Sequence, residues 1–599
     1  MRISDFDASA NLVGLFLERA DYRGDAPFLW AKRDSIWQPL SWREVAQSVC
    51  IMAKNLRAMG LNAGDRVLLV SENRPEWFIA DMAIMAAGCI TVPTYTTNTE
   101  RDHMHILDNS GARAVIVANE RLAKPLLPAI LSTGQAEHLI AMEPLPTLQA
   151  PFAQHRWEDL VRGDLSAARK AVEQRIAALT RTDMACLIYT SGTGGAPRGV
   201  PHSHGAILAN VGSAARVIAD DFGWGDEVFL SFLPLSHAYE HTAGQFLAMG
   251  LGAQTYYCEG LEKLASNIEE TRPTIMVVVP RLFEVLRARI IKQIAKQGRM
   301  ANYLLDKAQQ INARARNGRV RLFDRPANFV LERTLRPRVR ERFGGQIKAL
   351  VSGGAPLNPD VGGFFSAMGL TLLQGYGQTE AGPVISCNTP SAGLAMATVG
   401  PPLDWAEVRI ADDGEILVRG ESVMPGYWQD PSHSATALQD GWLHTGDIGH
   451  LDEAGRLVIT DRKKDMIVND KGDNIAPQKI EGMLTLQPEI AQAMVSGDKR
   501  PYVVGLIVPD AEWALQWAQA NDEKFHMDEL QALPAFRSAV REAVDRVNRD
   551  LSVIEKVRQI AFSDEPFTIE NGELTPSLKI RRHVIRSRYG ERLDGLYRG

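Results

Sequence analysis

The sequence has few cysteines, no long apolar run and no excess of positive charge, and each absence narrows the class of protein. Its 599 residues include 5 cysteines, an odd number that argues against a disulfide framework, and no two of them have the spacing of metal ligands. The longest apolar stretch, residues 82–93, is shorter than the ~20 residues that a membrane-spanning helix needs. The net charge of −6 argues against a chain that binds nucleic acid as a polycation.

The residues that are present have the composition of a globular protein, with 45% hydrophobic and 23% charged residues. The length is enough for a large domain with subdomains plus a smaller one. Acidic residues lie close to the N-terminus, and no secretory signal peptide is predicted there. We therefore expect a cytoplasmic protein, with peripheral contact with the inner face of a membrane left open.

Short apolar segments alternate with helical patterns over the first 400 residues, for example VLLVS, EWFIADMAIMAAG and CITVP. This alternation predicts mostly parallel sheets covered by helices. Between about 400 and 461 the pattern changes to hairpins around ADDGEILVRG and DEAGRLVITD. The predicted fold class is α/β. A large N-terminal domain of layered sheets spans 1–461 and includes a β-rich subdomain at about 400–461, and a small α+β domain spans 462–599.

Residues 281–348, called the basic insert below, are strongly charged and largely helical in pattern. They carry 18 Lys/Arg and 5 Asp/Glu, a net charge of +13, so the rest of the chain carries −19. One interpretation is a solvated helical segment whose Arg and Lys stems cover apolar surface. The other is a surface for an anionic partner, either phospholipid headgroups or a polyphosphate-bearing substrate.

The strongest chemical signal is YTSGTGGAPRGV at 189–200, which follows a buried strand and precedes a helix-like stretch. Its glycines and hydroxyls allow backbone N–H groups to surround an anion, and Arg198 supplies a cation. It is neither a P-loop, because no Lys-Ser/Thr follows the glycines, nor a dinucleotide fingerprint, because Pro197 takes the place of the third glycine. On these residues alone, the choice is between a polyphosphate site and a flexible turn.

Read as a whole, this segment resembles the phosphate loop of the adenylate-forming superfamily, which includes acyl-CoA synthetases, luciferase and peptide-synthetase adenylation domains. The family pattern is YTSGTTGxPKG, and here Gly194 replaces a threonine and Arg198 replaces the lysine. Seven further segments resemble family motifs in the family's order: FLPLSHAYEH (232–241), SGGAPL (352–357), QGYGQTE (374–380), TGD (445–447), DRKKD (461–465), NIAPQKIE (474–481) and LTPSLKIRR (574–582).

The resemblance assigns expected roles to individual residues. Those that would bind ATP are Thr190, Ser191, Gly192, Thr193, Gly195, Gly354, Ala355, Pro356, Tyr376, Gly377, Thr379, Asp447 and Arg462. Those expected to be catalytic are Lys579, His237, Thr193 and Arg198. Glu380 would hold Mg²⁺, and Lys464 would lie at a hinge about which the small domain rotates between two half-reactions. Taken singly, most of these residues have an ordinary structural interpretation, such as a packed histidine or a surface acid.

Within the family, the sequence FLPLSHAYEH and the basic insert resemble those of long-chain fatty-acid–CoA ligases most. The resemblance implies that ATP and a fatty acid form acyl-AMP and pyrophosphate, and that coenzyme A then displaces AMP. No carrier domain is predicted after Lys579, which favours free coenzyme A as the acceptor.

Two alternatives to this function stay open. One is another adenylate-forming enzyme, which passes its acyl group to a separate carrier or uses another hydrophobic acid. The other is an inactive protein that binds nucleotide or membrane.

Overall fold

The computed structural model describes residues 2–190, 196–316, 324–575 and 579–598, with the side chains of 315 and 316 excepted. The chain divides into two compact units. The first unit consists of Met1–Arg409, Leu417–Thr445 and Asp452–Leu457. The second consists of Ile410–Ile416, Gly446–Leu451 and Val458–Gly599. The predicted boundary near Arg462 stays a prediction.

Two large sheets form the framework of the first unit. Its strands are β1 (Pro27–Arg33), β2 (Ile36–Ser41), β3 (Arg66–Val70), β4 (Ile90–Thr94), β5 (Ala114–Val117), β6 (His138–Ala141), β7 (Ala153–Arg156), β8 (Met184–Thr190), β9 (Arg198–Ser203), β10 (Val228–Ser231), β11 (Gln254–Tyr257), β12 (Ile275–Val278), β13 (Ala349–Ser352), β14 (Leu372–Gly377) and β15 (Val384–Cys387). Within the described residues, one sheet has the order β15-β14-β13-β12-β10-β11-β1-β2 and the other β7-β6-β5-β3-β4-β8-β9.

Strand pairs in both sheets are parallel except at edges, where β1/β2, β14/β15 and β8/β9 are antiparallel. The central strands β3, β4 and β5 are buried almost throughout, as expected where helices cover both faces. The structure therefore confirms the predicted α/β fold class with layered, mostly parallel sheets.

Helices cover these sheets and fill the connections between strands. Those of the first unit are α1 (Ser4–Ala8), α2 (Leu12–Arg23), α3 (Trp42–Ala58), α4 (Pro75–Ala86), α5 (Glu100–Ser110), α6 (Glu120–Thr133), α7 (Trp157–Leu160), α8 (Leu165–Ile176), α9 (His204–Phe222), α10 (Leu247–Leu251), α11 (Leu264–Thr271), α12 (Pro280–Lys296), α13 (Arg299–Arg316), α14 (Asp324–Arg333), α15 (Leu335–Arg342), α16 (Pro359–Ala367) and α17 (Pro431–Ala437). A π-helix spans Glu240–Phe246, and short 3-10 helices span Leu261–Lys263 and Thr379–Ala381.

Local sequence explains where several helices begin and end. Ser41 caps α3 in a capping box with Glu44, which satisfies two N–H groups that the first turn leaves without partners. Proline at the start of α4 fits the first turn, where its missing N–H costs no hydrogen bond. α4 is buried on all sides, so it belongs to the core rather than to a solvent-facing layer. In that core, Phe28 stacks on Trp42 with 3.6 Å between ring centroids.

A β-rich stretch follows β15 in the chain, as the hairpin patterns predicted. Its strands are β16 (Glu407–Ile410), β17 (Glu415–Arg419), β18 (Leu438–Gln439), β19 (Trp442–Leu451) and β20 (Leu457–Arg462). The division between the two units passes through these strands.

The second unit continues with further strands and helices. They are β21 (Ile467–Val468), β22 (Asn474–Ile475), α18 (Pro477–Leu484), β23 (Ile490–Ser496), β24 (Val503–Pro509), α19 (Ala511–Ala520), α20 (Met527–Ala532), α21 (Pro534–Asp550), β25 (Val557–Phe562) and α22 (Arg582–Gly595). β24 lies between β23, to which it is antiparallel, and β25, to which it is parallel. Apolar residues of α18 and α21 pack with this sheet into one core, and those of α22 pack into another. None of the described helices combines the length and apolarity needed to cross a membrane.

Candidate active site

The first part of the candidate site is the pair of strands that flank the predicted phosphate loop. β8 and β9 are antiparallel, and Thr190 lies opposite Arg198 in the ladder. Thr190 Oγ1 donates a hydrogen bond of 3.4 Å to the Arg198 carbonyl. The pairing brings the two ends of the loop side by side. The predicted loop residues Ser191, Gly192, Thr193 and Gly195 lie outside the described residues.

The predicted segment 189–200 precedes a helix, as expected, but a strand that the sequence did not predict lies between the phosphate loop and that helix. β9 runs to Ser203, and α9 begins only at His204. The cause is the pairing of β9 with β8, which places Pro201 opposite Leu187 and buries both residues. Ser203 caps this helix, because its side chain accepts a hydrogen bond from the Ala206 N–H.

Arg198 and Glu380, the predicted cation and the predicted metal ligand, both contact the side chain of Tyr427. The Arg198 guanidinium carbon lies 4.4 Å from the centroid of the Tyr427 ring. The Tyr427 hydroxyl donates a hydrogen bond of 2.8 Å to Glu380 Oε1. All three side chains are half-buried. Burial and the negative charge of Glu380 raise the pKa of Tyr427, so its hydroxyl stays protonated as a donor.

Sequence reasoning missed Tyr427. It lies 47 residues from Glu380 in a Pro-Gly-Tyr-Trp stretch, which by itself indicates only a turn with aromatic packing. No spacing rule connects the two positions. The available signal was an aromatic residue with a hydroxyl beside Gly426, and this pattern does not specify a partner.

The predicted adenine-binding residues lie at one edge of the eight-stranded sheet. β13 and β14 are parallel neighbours, with Ser352 opposite Gln374, so their carboxyl ends meet. This edge of a parallel sheet is where ligands bind in open α/β folds. The residues that follow or end these strands are Gly354, Ala355, Pro356, Tyr376 and Gly377.

Two of these positions require glycine. Gly354 has φ of +81°, a left-handed conformation that side chains with a Cβ adopt at a cost. A Cβ at Gly377 would collide with the Pro383 carbonyl oxygen. Thr379 and Glu380 follow at once on a 3-10 turn, and the Met424 N–H donates a hydrogen bond of 2.9 Å to the Glu380 carbonyl. The short backbone path therefore places the Glu380 carboxylate beside the same sheet edge.

His237 lies on the loop that follows β10, and Asn73 holds this loop in place. The Asn73 amide donates to Leu233 O at 2.6 Å and to Ser231 Oγ at 3.0 Å. Its carbonyl oxygen accepts from the Leu235 N–H at 3.1 Å. His237 itself is half-buried and accepts from the Tyr239 N–H through Nδ1 at 3.2 Å. The sequence did not identify Asn73, because the loop it contacts lies about 160 residues further along the chain.

A buried carboxyl group, that of Glu240, lies at the start of the π-helix that follows His237. Glu240 is buried, and burial raises its pKa to about 8, while the hydrogen bond from Ser231 Oγ to Oε1 opposes this shift. Among the described residues, Oε2 has no hydrogen-bond partner. Gly244 leaves room for the carboxyl, because a Cβ there would collide with it. π-helical turns often occur at functional sites, and this one adjoins the His237 loop.

In the second unit, the two predicted ribose contacts lie together. Arg462 Nε is 3.5 Å from Asp447 Oδ1, and the Asp447 side chain is 8% exposed. The preceding residue, Gly446, donates its N–H to Glu415 Oε1 at 2.8 Å and accepts from the Lys463 N–H. These contacts hold the TGD and DRKKD segments against each other. Lys464, the predicted hinge residue, lies in the turn that follows Arg462.

Lys579, the predicted catalytic lysine, also belongs to the second unit. Its main-chain N–H donates to Thr575 Oγ1 at 3.0 Å, and its carbonyl accepts from the Thr575 N–H at 2.8 Å. An antiparallel bridge between Leu574 and Ile580 flanks these bonds. The backbone around Lys579 is therefore held by contacts that do not involve its ammonium group.

The residues of the first unit fit a magnesium ion bound together with a polyphosphate. Mg²⁺ commonly takes one or two carboxylates from the protein and completes its shell with phosphate oxygens and water. Glu380 supplies such a carboxylate, and among the described residues only Oε1 has a hydrogen-bond donor, Tyr427. No cluster of three or more His, Cys, Asp or Glu ligands occurs in the described part of the chain.

Comparison with known proteins adds to this geometry. The profile described as AMP-binding enzyme matches residues 16–428, and that described as AMP-binding enzyme C-terminal domain matches residues 464–599. The long-chain-fatty-acid–CoA ligase FadD15 of Mycobacterium tuberculosis is 33% identical, over 94% of this chain and 93% of its own. The human long-chain-fatty-acid–CoA ligase 6 is 29% identical, over 99% of this chain and 87% of its own.

Solved structures agree on the fold. The adenylation domain of the carboxylate reductase from Mycobacterium chelonae has a TM-score of 0.76 at 20% identity, covering 98% of this chain and 91% of that one. At this identity the likeness concerns the fold alone. The matches of the two family profiles and of a relative at 33% identity extend over nearly the whole chain. The chain therefore belongs to the AMP-binding enzyme family.

Proposed function

We propose that this protein is a long-chain fatty-acid–CoA ligase that forms AMP. Relatives of this name, from bacteria to human, match 94–99% of the chain at 29–33% identity. The observation that carries the proposal is the sheet edge itself. There, a carboxylate and two glycine-dependent turns lie where open α/β folds bind a nucleotide. Tyr427 contacts both that carboxylate and the Arg198 cation.

The reaction has two steps with different electrostatic demands. In the first, a carboxylate oxygen of the fatty acid attacks the α-phosphorus of ATP, and pyrophosphate leaves. Both reactants are anions, so cations must offset their repulsion and hold them in line. In the second, the thiol of coenzyme A attacks the acyl carbon, loses its proton, and AMP leaves with the electron pair of the broken C–O bond.

The residues of the chain have separable roles in this scheme. Arg198 binds the outer phosphates, and Lys579 stabilises the charge that develops where carboxylate and α-phosphate meet. Tyr376 stacks on adenine, Asp447 and Arg462 bind the ribose, and His237 borders the acyl group. Glu380 would hold Mg²⁺, which when bound neutralises phosphate charge. Thr193 and the other loop residues that lie outside the described residues keep their predicted role as phosphate ligands.

The first prediction concerns the acid and the acceptor. We expect palmitate to exceed acetate and benzoate in kcat/KM by about 100-fold or more, because each buried CH₂ contributes ~0.8 kcal/mol and four of them suffice. The measurement is AMP release with a panel of carboxylic acids, each assayed with and without coenzyme A. Acetate or benzoate as the better substrate would refute the chain-length claim. Full AMP release without coenzyme A, or accumulation of acyl-AMP when it is present, would refute the ligase claim.

We also propose that the basic insert binds anionic membrane, where fatty acids partition. Its helices α12–α15 expose apolar side chains that charged residues flank. The exposed apolar residues are Met300 (71%), Tyr303 (56%), Phe329 (57%) and Val330 (44%). The Arg333 guanidinium carbon lies 4.2 Å from the Phe329 ring centroid, and Lys307 Nζ lies 5.6 Å from that of Tyr303. Aromatic rings beside cations suit the boundary between headgroups and acyl chains.

The second prediction tests this surface by charge reversal. Arg314, Arg316, Arg319 and Arg321 cluster in the basic insert and are the first candidates for charge reversal. Arg314 already pairs with Asp324 at 2.9 Å, and the other three lie outside the residues with described side chains. Arg325 and Arg338, both exposed, are therefore the better targets. We expect the variant with both replaced by glutamate to co-sediment less with anionic liposomes, since each cation near the surface contributes ~1 kcal/mol. Added salt should weaken binding of the unaltered protein, because screening acts within roughly 10 Å at 0.1 M.

The matched control carries the same charge change outside the basic insert, with the exposed residues Lys124 and Lys170 replaced by glutamate. Its binding should exceed that of the Arg325/Arg338 variant. Equal losses in the two variants, or equal binding to neutral and anionic vesicles, would show that the insert is not the docking surface.

A further inference from the structure

We propose that Tyr427 is a positioning residue that holds Glu380 and Arg198 together, so that the metal-binding carboxylate and the phosphate-binding cation act as one unit. The inference rests on the proposed function for the roles of those two residues. It adds a third side chain, which belongs to none of the motifs that carry the family resemblance.

The first observation is that one side chain makes two different contacts. The hydroxyl of Tyr427 donates to Glu380 Oε1 at 2.8 Å, while its ring lies 4.4 Å from the Arg198 guanidinium carbon. The hydrogen bond restrains the rotation of the carboxylate, and Oε2 keeps no hydrogen-bond donor among the described residues. A carboxylate fixed through one oxygen offers the other to a hard cation in a defined direction. Groups that orient a metal ligand in this way alter metal affinity without touching the metal.

The second observation explains why an arginine suits position 198, where the family pattern has lysine. A planar guanidinium stacks on an aromatic face and still presents N–H donors at its rim, which an ammonium does not do equally well. Because its guanidinium carbon already lies 4.4 Å from the Tyr427 ring centroid, the Arg198 side chain loses fewer rotamers when it binds a phosphate. The exchange of lysine for arginine is therefore matched by the ring beneath it.

The third observation is that the backbone of Tyr427 is itself anchored to the strand that carries Arg198. The N–H of Trp428 donates to Gly199 O at 2.8 Å, and the Trp428 indole donates to Asn109 O at 3.0 Å. The N–H of Tyr427 donates to Ser434 Oγ at 2.9 Å. These hydrogen bonds fix the backbone of Tyr427 near the start of β9. The position of the ring beside Glu380 and Arg198 is therefore set by the backbone as well as by the two side-chain contacts.

Two substitutions separate the two contacts. Tyr427→Phe removes the hydroxyl and keeps the ring, whereas Tyr427→Leu removes both. We expect Tyr427→Phe to raise the Mg²⁺ concentration for half-maximal ATP–pyrophosphate exchange by about 10-fold or more, the usual size of such orienting effects. ATP affinity measured by calorimetry in EDTA should change less than about 2-fold in this variant, since the stack on Arg198 persists.

Tyr427→Leu should show the same Mg²⁺ shift and, in addition, a loss of ATP affinity in EDTA of about 2- to 30-fold, the range of a cation–π contact. In an Arg198→Lys background, the leucine substitution should cost less ATP affinity than it does beside Arg198, because the stacked partner is gone. Tyr502→Phe is the control, since its hydroxyl donates to the Leu596 carbonyl within the second unit. Thermal melting of every variant shows that it is folded.

Tyr427→Phe with the Mg²⁺ dependence of the unaltered protein would overturn the orienting role towards Glu380. Equal losses of ATP affinity in the phenylalanine and leucine variants would overturn the stacking role towards Arg198. A chain that forms no acyl-AMP from any fatty acid would instead refute the proposed function. The calorimetric arm reads nucleotide affinity with EDTA or with Mg²⁺ and needs no turnover, so it still decides the role of Tyr427 in that case.

Discussion

Replacement of Lys579 by alanine should reduce pyrophosphate release from ATP and fatty acid by about 10²- to 10³-fold, the loss expected when one well-placed charge-stabilising group is removed. The same variant, given presynthesised acyl-AMP and coenzyme A, should still form thioester at a substantial rate. The ammonium group matters while an anionic carboxylate and an anionic phosphate are forced together. It contributes less stabilisation once the mixed anhydride exists and a thiol approaches the acyl carbon.

The backbone contacts around Lys579 allow the alanine substitution to remove the ammonium group without disturbing the local backbone. Its N–H and carbonyl both bond to Thr575, so truncation at Cβ leaves these hydrogen bonds in place. Lys524→Ala, at an exposed position of the same unit, is the matched control and should keep both half-reactions. The two assays are pyrophosphate release and thioester formation, each compared with the unaltered protein. Comparable losses in both, in a folded variant, would mean that Lys579 supports both steps, and the proposed division of labour would be wrong.

Replacement of Glu380 by glutamine should lower the rate of adenylation by roughly 10²- to 10³-fold and raise the Mg²⁺ requirement. Glutamine keeps the shape of the side chain and an oxygen that accepts the Tyr427 hydrogen bond. It lacks the negative charge with which a carboxylate holds a hard cation. The measurement is ATP–pyrophosphate exchange over a range of Mg²⁺ concentrations.

Glu18→Gln makes the same chemical change at an exposed position on α2 and should leave the Mg²⁺ profile as it is. An unchanged Mg²⁺ profile in Glu380→Gln would remove Glu380 from the metal site. A variant with normal Mg²⁺ dependence but weaker ATP binding would assign it to the nucleotide instead. In either case, Tyr427 would orient a side chain other than a metal ligand.

The order of strands and helices was predictable because the patterns that specify them are local. The apolar run VLLV at 67–70 lies in a buried strand, and the helix predicted next spans Pro75–Ala86. The stretch after the phosphate loop was not predictable in this way. Its residues form β9 because β8 is available to pair with them, and this partner is a tertiary contact rather than a property of the segment.

The residues of the candidate site also fall into those that local sequence identifies and those that only tertiary contacts identify. Motif residues such as Tyr376, Glu380 and Lys579 could be named from their surrounding sequence, because each stands in a run of residues with a distinctive order. Asn73 and Tyr427 could not be found, because each acts through a partner far along the chain and neither stands in a motif. The restrained carboxylate and the stacked guanidinium appear only when those partners meet.

The sequence by itself determined the family, the α/β class and the residues proposed to bind a nucleotide, because periodicity and motif order are properties of consecutive residues. Only the tertiary structure showed which other side chains contact those residues and fix their positions. Strand order brings the ends of β13 and β14 together, and hydrogen bonds across 47 and about 160 residues connect Tyr427 to Glu380 and Asn73 to the His237 loop. Such contacts follow from how distant segments pack, and no local pattern encodes the distance between two segments that meet only after folding.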